Sequence, residues 1–101
     1  MFSEGKANAT FGKIVATTPA KEGPAVKADA AINPNGMLPP KLGYYRYSGS
    51  LTTPPCSEVV EWLVLTTPIQ VAASDVAGFA KLYPMNARPA QRDNRRFVLQ
   101  S

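Results

Sequence analysis

The chain has 101 residues, 45% of them hydrophobic, and 11 basic side chains against seven acidic ones give it a net charge of +4. This length allows at most one domain, and the apolar content excludes disorder caused by a lack of core-forming residues. No apolar run approaches the ~20 residues of a membrane-spanning helix, so we expect no membrane association. Residues 1–6 lack the apolar core of a secretory signal, so we expect no signal peptide in this chain.

The first predicted element is a helix over residues 7–18, which Asn8 caps and Pro19 ends. Its apolar face has the spacing i, i+3, i+4 and i+7 and consists of Phe11, Ile14, Val15 and Thr18. Residues 19–43 are rich in proline, which predicts a meandering segment with one short strand near residues 26–32.

Two strands are predicted next, over residues 44–51 (interrupted by Gly49) and over residues 58–65. The consecutive prolines Pro54 and Pro55 separate them, because neither has a backbone donor for a sheet. One face of the second strand carries Val60, Trp62 and Val64, and the other carries Val59, Glu61, Leu63 and Leu65. Apolar residues on both faces predict a strand inside a sheet rather than at its edge.

The remaining predicted elements are a helix over residues 74–83, capped by Ser74, and a final strand over residues 95–99. This inventory predicts a mostly β (α+β) fold. Two strong strands and two short helices do not close a sheet, and an isolated strand pair is only marginally stable in water. The pattern therefore predicts strands that this chain does not supply.

Basic residues cluster only over residues 92–96, and no aromatic side chains are interleaved with them for base stacking. We therefore expect no nucleic-acid binding; salt-sensitive binding would be its signature. Cys56 is the only cysteine, so the chain cannot form an internal disulfide. It is either a semi-buried thiol or a cysteine whose partner lies outside this chain.

Metal binding by this chain alone is not expected, because it contains no histidine. The other candidate ligands are Cys56, Asp29, Asp75, Asp93, Glu4, Glu22, Glu58 and Glu61. Glu58 and Glu61 are three residues apart in a predicted strand, so they point to opposite faces. No set of these residues has the spacing of a zinc site.

The segment Ser48-Gly49-Ser50-Leu51-Thr52-Thr53-Pro54-Pro55-Cys56-Ser57-Glu58 resembles the signature of the α-class carbonic anhydrases. Further matches follow in the family's order: Met37-Leu38-Pro39 before it, and Val60, Trp62, Val64, Pro68-Ile69 and Asn86-Ala87-Arg88-Pro89-Ala90-Gln91 after it. The resemblance implies that residues 1–101 are the C-terminal portion, about two fifths, of a single incomplete domain. It also implies the C-terminal part of a twisted mixed sheet with short peripheral helices.

The activity implied by the resemblance is that of a zinc lyase that interconverts carbon dioxide and bicarbonate. Zinc lowers the pKa of bound water to about 7, so hydroxide is available near neutral pH. In the family, the three zinc-binding histidines and the carboxylate that orders the hydroxide lie upstream of anything in this sequence. We therefore expect no zinc on this chain alone and no activity in isolation.

The resemblance assigns site roles to residues of the threonine segment and the following strand. Thr52 matches the gatekeeper threonine, whose hydroxyl accepts a hydrogen bond from the zinc-bound hydroxide and donates one to the upstream carboxylate. Thr53 matches the bicarbonate position, and Leu51, Val60 and Trp62 match the apolar wall that holds carbon dioxide. A purely structural interpretation stays open: threonines before prolines often satisfy turns, and Val60 and Trp62 are suitable core residues.

Tyr47 matches a tyrosine that supports the active-site network, although Tyr44, Tyr45 and Tyr47 also form an aromatic ladder on a strand. Arg88 matches a structural arginine near the threonine segment. Cys56 falls where many bacterial and extracellular members have a cysteine that bridges to one near the N-terminus. This match implies an exported bacterial parent protein, periplasmic or secreted.

Two kinds of partner follow from the resemblance besides carbon dioxide and bicarbonate. A complementing N-terminal half would supply the histidines, or a homo-oligomer would cover the open sheet. The alternative function is a catalytically dead binding module, because some relatives have lost their zinc ligands and serve in recognition. Such a module would exist as a domain-swapped oligomer.

Overall fold

The computed structural model describes residues 1–28 and 32–101, which form two compact units. The elements in chain order are β1 (Phe2–Glu4), α1 (Ala9–Thr17), a 3-10 helix (Pro34–Met37), β2 (Tyr44–Gly49), β3 (Val60–Leu65), β4 (Ile69–Val71), α2 (Ala73–Ala80) and β5 (Leu99–Gln100). The short strand predicted near residues 26–32 falls partly outside the described residues, and its described ends are not in a strand. The candidate ligand Asp29 also lies outside them.

The first unit comprises Phe2–Pro39 and Pro68–Asn86, and its sheet is a parallel pair of β1 and β4. Phe2 pairs with Ile69, and Val71 at the end of β4 is only 1% exposed. Neither strand is predicted from the sequence, because three residues are too few to show an alternating pattern. Their pairing depends on contacts between segments more than 60 residues apart.

Helix α1 confirms the predicted helix and its cap. The Asn8 side-chain oxygen accepts a hydrogen bond from the Phe11 amide at 2.9 Å, which satisfies one of the free donors of the first turn. The four residues predicted for the apolar face are all half-buried. Phe11 on this face also contacts the Phe2 ring, with centroids 5.2 Å apart.

Helix α2 corrects the prediction that Ser74 is a cap. The helix begins at Ala73, and the Ala72 carbonyl accepts the first hydrogen bonds, from the amides of Asp75 and Val76. Ser74 therefore lies inside the first turn, and no side chain caps this end. The helix ends at Ala80, three residues before the predicted boundary.

The second unit comprises Pro40–Thr67 and Ala87–Ser101 together with Met1, and its sheet is antiparallel with the order β3-β2-β5. Strand β2 pairs with β3 from Tyr44 opposite Leu65 to Gly49 opposite Val60. The prediction that β3 lies inside a sheet is wrong within the described residues, because β2 is its only pairing partner there. Both of its faces are nevertheless apolar, and Leu63 is 58% exposed.

The final strand is shorter than predicted and begins later in the chain. Asn94 and Arg95 have left-handed backbone conformations, with φ of 51° and 63°, which a strand cannot contain. Residues 92–96 therefore form a turn, and β5 begins only at Leu99, where it pairs with Arg46 of β2.

Candidate functional site

The candidate site is built around residues 50–59, which connect β2 to β3. Residues 50–57 of this connection are the threonine loop. The loop is closed by its own backbone, since the Leu51 amide donates to the Ser57 carbonyl at 3.0 Å. The Cys56 amide donates to the Thr53 carbonyl at 2.9 Å, and the Pro54–Pro55 peptide bond is cis, as in a type VI turn. These bonds fix the course of the backbone around Thr52.

The predicted site residues of the loop are all exposed. Leu51 is 42% exposed, Thr52 and Thr53 are exposed as well, and within the described residues neither threonine hydroxyl makes a hydrogen bond. An uncommitted hydroxyl has one donor and two acceptor sites to offer to a ligand or to another segment.

The predicted apolar wall lies at the base of the loop. Val60 and Trp62 are on the same face of β3, half-buried, and Tyr47 of β2 is directly opposite Trp62. The Trp62 indole Nε1 donates to the Ser50 carbonyl at 3.2 Å, which joins this face to the first residue of the loop. The structure thus brings the predicted wall residues to the segment that carries Thr52.

A close approach between the two strands explains a glycine at the end of β2. A Cβ atom on Gly49 would lie 2.8 Å from Cδ1 of Trp62 and 3.3 Å from Nη1 of Arg96. No side chain fits at the first of these distances without movement of the indole. Gly49 therefore lets the Trp62 ring lie against the backbone that leads into the threonine loop.

Arg88 is a predicted site residue for which the described residues show no polar contact. Its side chain is exposed and makes no hydrogen bond or ion pair with any described residue. Arg96 instead reaches β2, where its Nη1 donates to the Ser48 carbonyl at 2.9 Å and its guanidinium carbon lies 5.8 Å from the centre of the Tyr47 ring. No local sequence pattern relates residues 48 positions apart, so this contact is not predicted from the sequence.

One ion pair lies on the opposite face of the β2–β3 pair. Arg46 Nε donates to a Glu61 carboxylate oxygen at 2.6 Å, and the Ser48 hydroxyl donates to the other oxygen at 3.3 Å. The hydrogen bond from Arg46 lowers the pKa of Glu61 below its ordinary value, and the same bond raises the pKa of Arg46. Both groups are exposed, so the pair orients side chains more than it stabilises the fold.

A groove of about 430 Å³ runs along this sheet and is lined by Arg46, Tyr47, Ser48, Glu61, Arg96, Phe97 and Leu99. The threonine loop does not line it. Leu51, Thr52 and Thr53 of the loop are exposed, outside this groove.

The residues present do not fit a zinc ion. The chain has no histidine, and among the residues that the structure describes no three of cysteine, aspartate and glutamate come together as a metal site.

Cys56 is an exposed free thiol, so its interpretation as a semi-buried residue is wrong. No helix in the described ranges is long and apolar enough to cross a membrane.

The comparisons with known proteins agree on one family. The family model for the eukaryotic-type carbonic anhydrase matches residues 1–101. A carbonic anhydrase of Nostoc sp. is 41% identical over 96% of this chain and 37% of its own length. The chain therefore spans about two fifths of the length of the curated relatives it matches.

Solved structures give the same result for the backbone. The α-carbonic anhydrase of Thermovibrio ammonificans, solved in complex with the inhibitor sulfanilamide, matches with a TM-score of 0.91 and 40% identity, over 97% of this chain and 44% of that one. The α-carbonic anhydrase of Photobacterium profundum matches with a TM-score of 0.89 and 37% identity, over 97% and 45%. The mostly β (α+β) class predicted from the sequence is thereby confirmed.

Proposed function

Because this chain belongs to the eukaryotic-type (α) carbonic anhydrase family, we propose that it supplies one side of a site for the reversible hydration of carbon dioxide. The observation that carries the proposal is the junction between the loop and the wall. Thr52 lies in the loop that joins β2 to β3, and the first two half-buried residues of β3 are the apolar Val60 and Trp62, on one face of the strand. A polar group beside a dry wall suits a small apolar substrate that becomes an anion.

In this proposal, Thr52 acts through geometry rather than through acid–base strength. Its hydroxyl accepts a hydrogen bond from the attacking hydroxide and donates one to a carboxylate outside this chain, so that a lone pair points at the substrate carbon. Thr53 lies beside the position of the bicarbonate product. Leu51, Val60 and Trp62 exclude water from carbon dioxide, which needs few polar contacts.

Zinc is the family's cofactor, and it would generate the hydroxide. Its ligands must come from outside this chain, because the described residues do not fit the ion. We therefore propose that residues 1–101 are the C-terminal portion of one domain and are inactive alone. The partner is a polypeptide with the N-terminal part of such a domain, which would also continue the sheet beyond β3.

Exposed apolar side chains on the second unit support a missing partner. Val59 is 79% exposed and Leu63 58% exposed, and among the described residues the second edge of β3 has no pairing partner, so its backbone donors and acceptors are open to another strand. The same surface would serve a binding module that pairs with a second copy, which is the alternative function. We further propose that the parent protein is exported to the periplasm or secreted, where the exposed Cys56 thiol would pair with a cysteine outside this chain.

The test combines the purified chain with a polypeptide that carries the N-terminal three fifths, roughly, of the Nostoc relative. Stopped-flow hydration of carbon dioxide and zinc content are measured for each polypeptide alone and for the mixture. We expect neither activity nor stoichiometric zinc in the chain alone, and both in the mixture. The Thr52→Ala variant should lower kcat/KM of the mixture about 100-fold, as expected when an orienting hydrogen bond is lost.

Thr17→Ala is the matched control, because Thr17 is an exposed threonine in α1, outside the proposed site. Activity and one zinc per chain without the N-terminal polypeptide would contradict the division of ligands. A mixture that assembles and binds zinc but loses no activity in the Thr52→Ala variant would contradict the role of Thr52. A stable homodimer that excludes the N-terminal polypeptide would favour the binding module.

A further inference from the structure

Arg96 has the densest set of polar contacts of the described arginines, and none of them is to a carboxylate. Its Nε donates to the Asp93 carbonyl at 2.8 Å, Nη1 to the Ser48 carbonyl at 2.9 Å and Nη2 to the Arg92 carbonyl at 3.2 Å. Each nitrogen of the guanidinium thus donates to a different backbone oxygen. A planar group with donors in fixed directions holds three such acceptors in one geometry.

Two of these side-chain contacts, to the Asp93 and Arg92 carbonyls, lie within the turn that contains Arg96 itself. Two backbone amides of the same turn are also bonded. The Arg96 amide donates to the Asp93 carbonyl at 3.0 Å, and the Arg95 amide donates to Asp93 Oδ1 at 3.2 Å. Asn94 and Arg95 have left-handed backbone conformations that residues other than glycine rarely adopt. The turn persists because Asp93 and Arg96 satisfy its backbone groups from both ends.

The third contact joins this turn to the strand that leads into the threonine loop. The Ser48 carbonyl is four residues before Thr52, and the guanidinium also lies over the ring of Tyr47, where a cation is attracted by the electrons of the ring face. Arg96 therefore holds two consecutive residues of β2, one through its backbone and one through its side chain.

Trp62 holds the next residues of the same segment. Its indole lies against Gly49 and donates to the Ser50 carbonyl. Arg96 Nη1 is also close to Gly49, since a Cβ there would lie 3.3 Å from it. Residues 48–50 are thus held by Arg96 and Trp62 together, immediately before the loop residues with the proposed chemistry.

We propose that Arg96 is a positioning residue for the threonine loop: through the Ser48 carbonyl and the Tyr47 ring it fixes the end of β2 and so sets where Leu51 and Thr52 lie. This gives Arg96 a role near the threonine loop in addition to the one that the resemblance implies for Arg88. The consequence for catalysis rests on the proposed function above. The consequence for the conformation of the loop does not.

The first test is made on the full chain by NMR, which needs no activity. In Arg96→Gln and Arg96→Lys variants, the Trp62 indole NH should shift, and the Leu51 amide should exchange with solvent about tenfold faster, as expected for the loss of a charge-assisted hydrogen bond. Lysine should not restore the wild-type values, because a single ammonium group cannot reach three carbonyls with fixed directions. The amides that pair β2 with β3 should stay protected.

Arg92→Gln is the matched control, because it removes the same charge from the same turn and its side chain makes no hydrogen bond with a described residue. Wild-type Leu51 exchange and an unshifted Trp62 indole in both Arg96 variants would overturn the proposal. If the glutamine variant unfolds, the lysine variant, which keeps the charge, decides. Full rescue by lysine would show that charge alone matters and would also overturn the proposal.

The second test uses the mixture with the N-terminal polypeptide. The Arg96→Lys variant should lower kcat about tenfold with KM nearly unchanged, because a misplaced Thr52 impairs orientation more than binding. A fall in the amount of assembled complex at constant kcat would show a merely structural role and contradict the proposal. If the wild-type mixture itself is inactive, the proposed function fails, and the NMR experiment still decides the role of Arg96.

Discussion

Each of the two units of this protein is stabilised internally by a different kind of interaction. The unit with β1, β4 and the helices contains both residues that are buried among the described ones, Pro39 and Val71. The unit with the threonine loop contains none, and its order comes from strand pairing and from polar contacts of Trp62, Arg46 and Arg96. The region that carries the candidate chemistry is therefore the one without a buried residue of its own.

This difference gives the proposed partner a second role: besides supplying the zinc ligands, it would bury apolar surface of this unit. Burial of apolar surface is the dominant favourable contribution to folding, and hydrogen bonds contribute less per group. The strands of the sheet that leads to Thr52 pair with one another, but none of their side chains is buried. A partner that covers β3 would stabilise the site and supply its ligands in the same step. Four substitutions test this contrast.

The largest effect is expected at Val71, the only fully buried side chain in the described residues. Val71→Ala removes two methyl groups from a packed position, and we expect it to lower the free energy of unfolding by about 2 to 3 kcal/mol. Val76→Ala in α2 is the control, because Val76 is exposed. Urea unfolding monitored by circular dichroism measures both, and equal losses would mean that this unit has no core around Val71.

Gly49 tests the other unit. Gly49→Ala places a methyl group against the Trp62 ring, and we expect a loss of about 1 to 3 kcal/mol from the crowding. Gly23→Ala is the control, because a Cβ there meets no atom within 4 Å. Tryptophan fluorescence during urea unfolding reports this change directly. An unchanged midpoint and an unchanged emission spectrum would show that the approach of Trp62 to Gly49 is not fixed.

The helix caps sharpen the comparison within the first unit. Asn8→Ala removes the acceptor of the Phe11 amide and should cost about 1 kcal/mol. Ser74→Ala should change the free energy of unfolding much less, because Ser74 lies inside α2 and caps nothing. Thermal unfolding of the two variants under identical conditions makes the measurement. A larger loss in the serine variant would contradict the cap assignment.

The smallest effect is expected at Glu61, in the exposed ion pair of the second unit. Its pKa is lowered in the folded state by Arg46, so the pair stabilises the fold above the unfolded-state pKa of about 4.3 and is lost as the pH falls through the lower folded value. Glu61→Gln should therefore reduce the difference in stability between pH 7 and pH 3. Glu22→Gln, at an exposed glutamate in the other unit, is the control.

Local patterns in the sequence predicted the elements with strong periodicity. Helical spacing located α1 and its Asn8 cap, alternation located β3 with the correct faces, and the strand predicted over residues 44–51 contains β2. The short strands β1 and β4 were missed, and Ser74 was wrongly made a cap. Three-residue strands and the exact first residue of a helix depend on pairing and packing partners, which local propensity does not contain.

The contacts of the candidate site also separate into those that local sequence predicts and those that it does not. The motif around Thr52 predicts the loop and the apolar wall, and the structure places Val60 and Trp62 at the end of that loop because these residues are close in sequence. The resemblance predicts a supporting role for Arg88, which stays a prediction, and the structure shows a second arginine, Arg96, in contact with β2. The difference between two arginines of one C-terminal segment is a matter of how that segment turns, and the left-handed residues Asn94 and Arg95 set that turn.

By itself, the sequence determined the family, the α+β class, the loop that carries Thr52 and the absence of histidine ligands, since these follow from residue identity and short spacing. Only the tertiary structure decided that β3 lies at a sheet edge within the described residues and that Arg96 holds the Ser48 carbonyl. Both are contacts between distant segments. Their geometry depends on the path of the whole backbone, which no local pattern specifies.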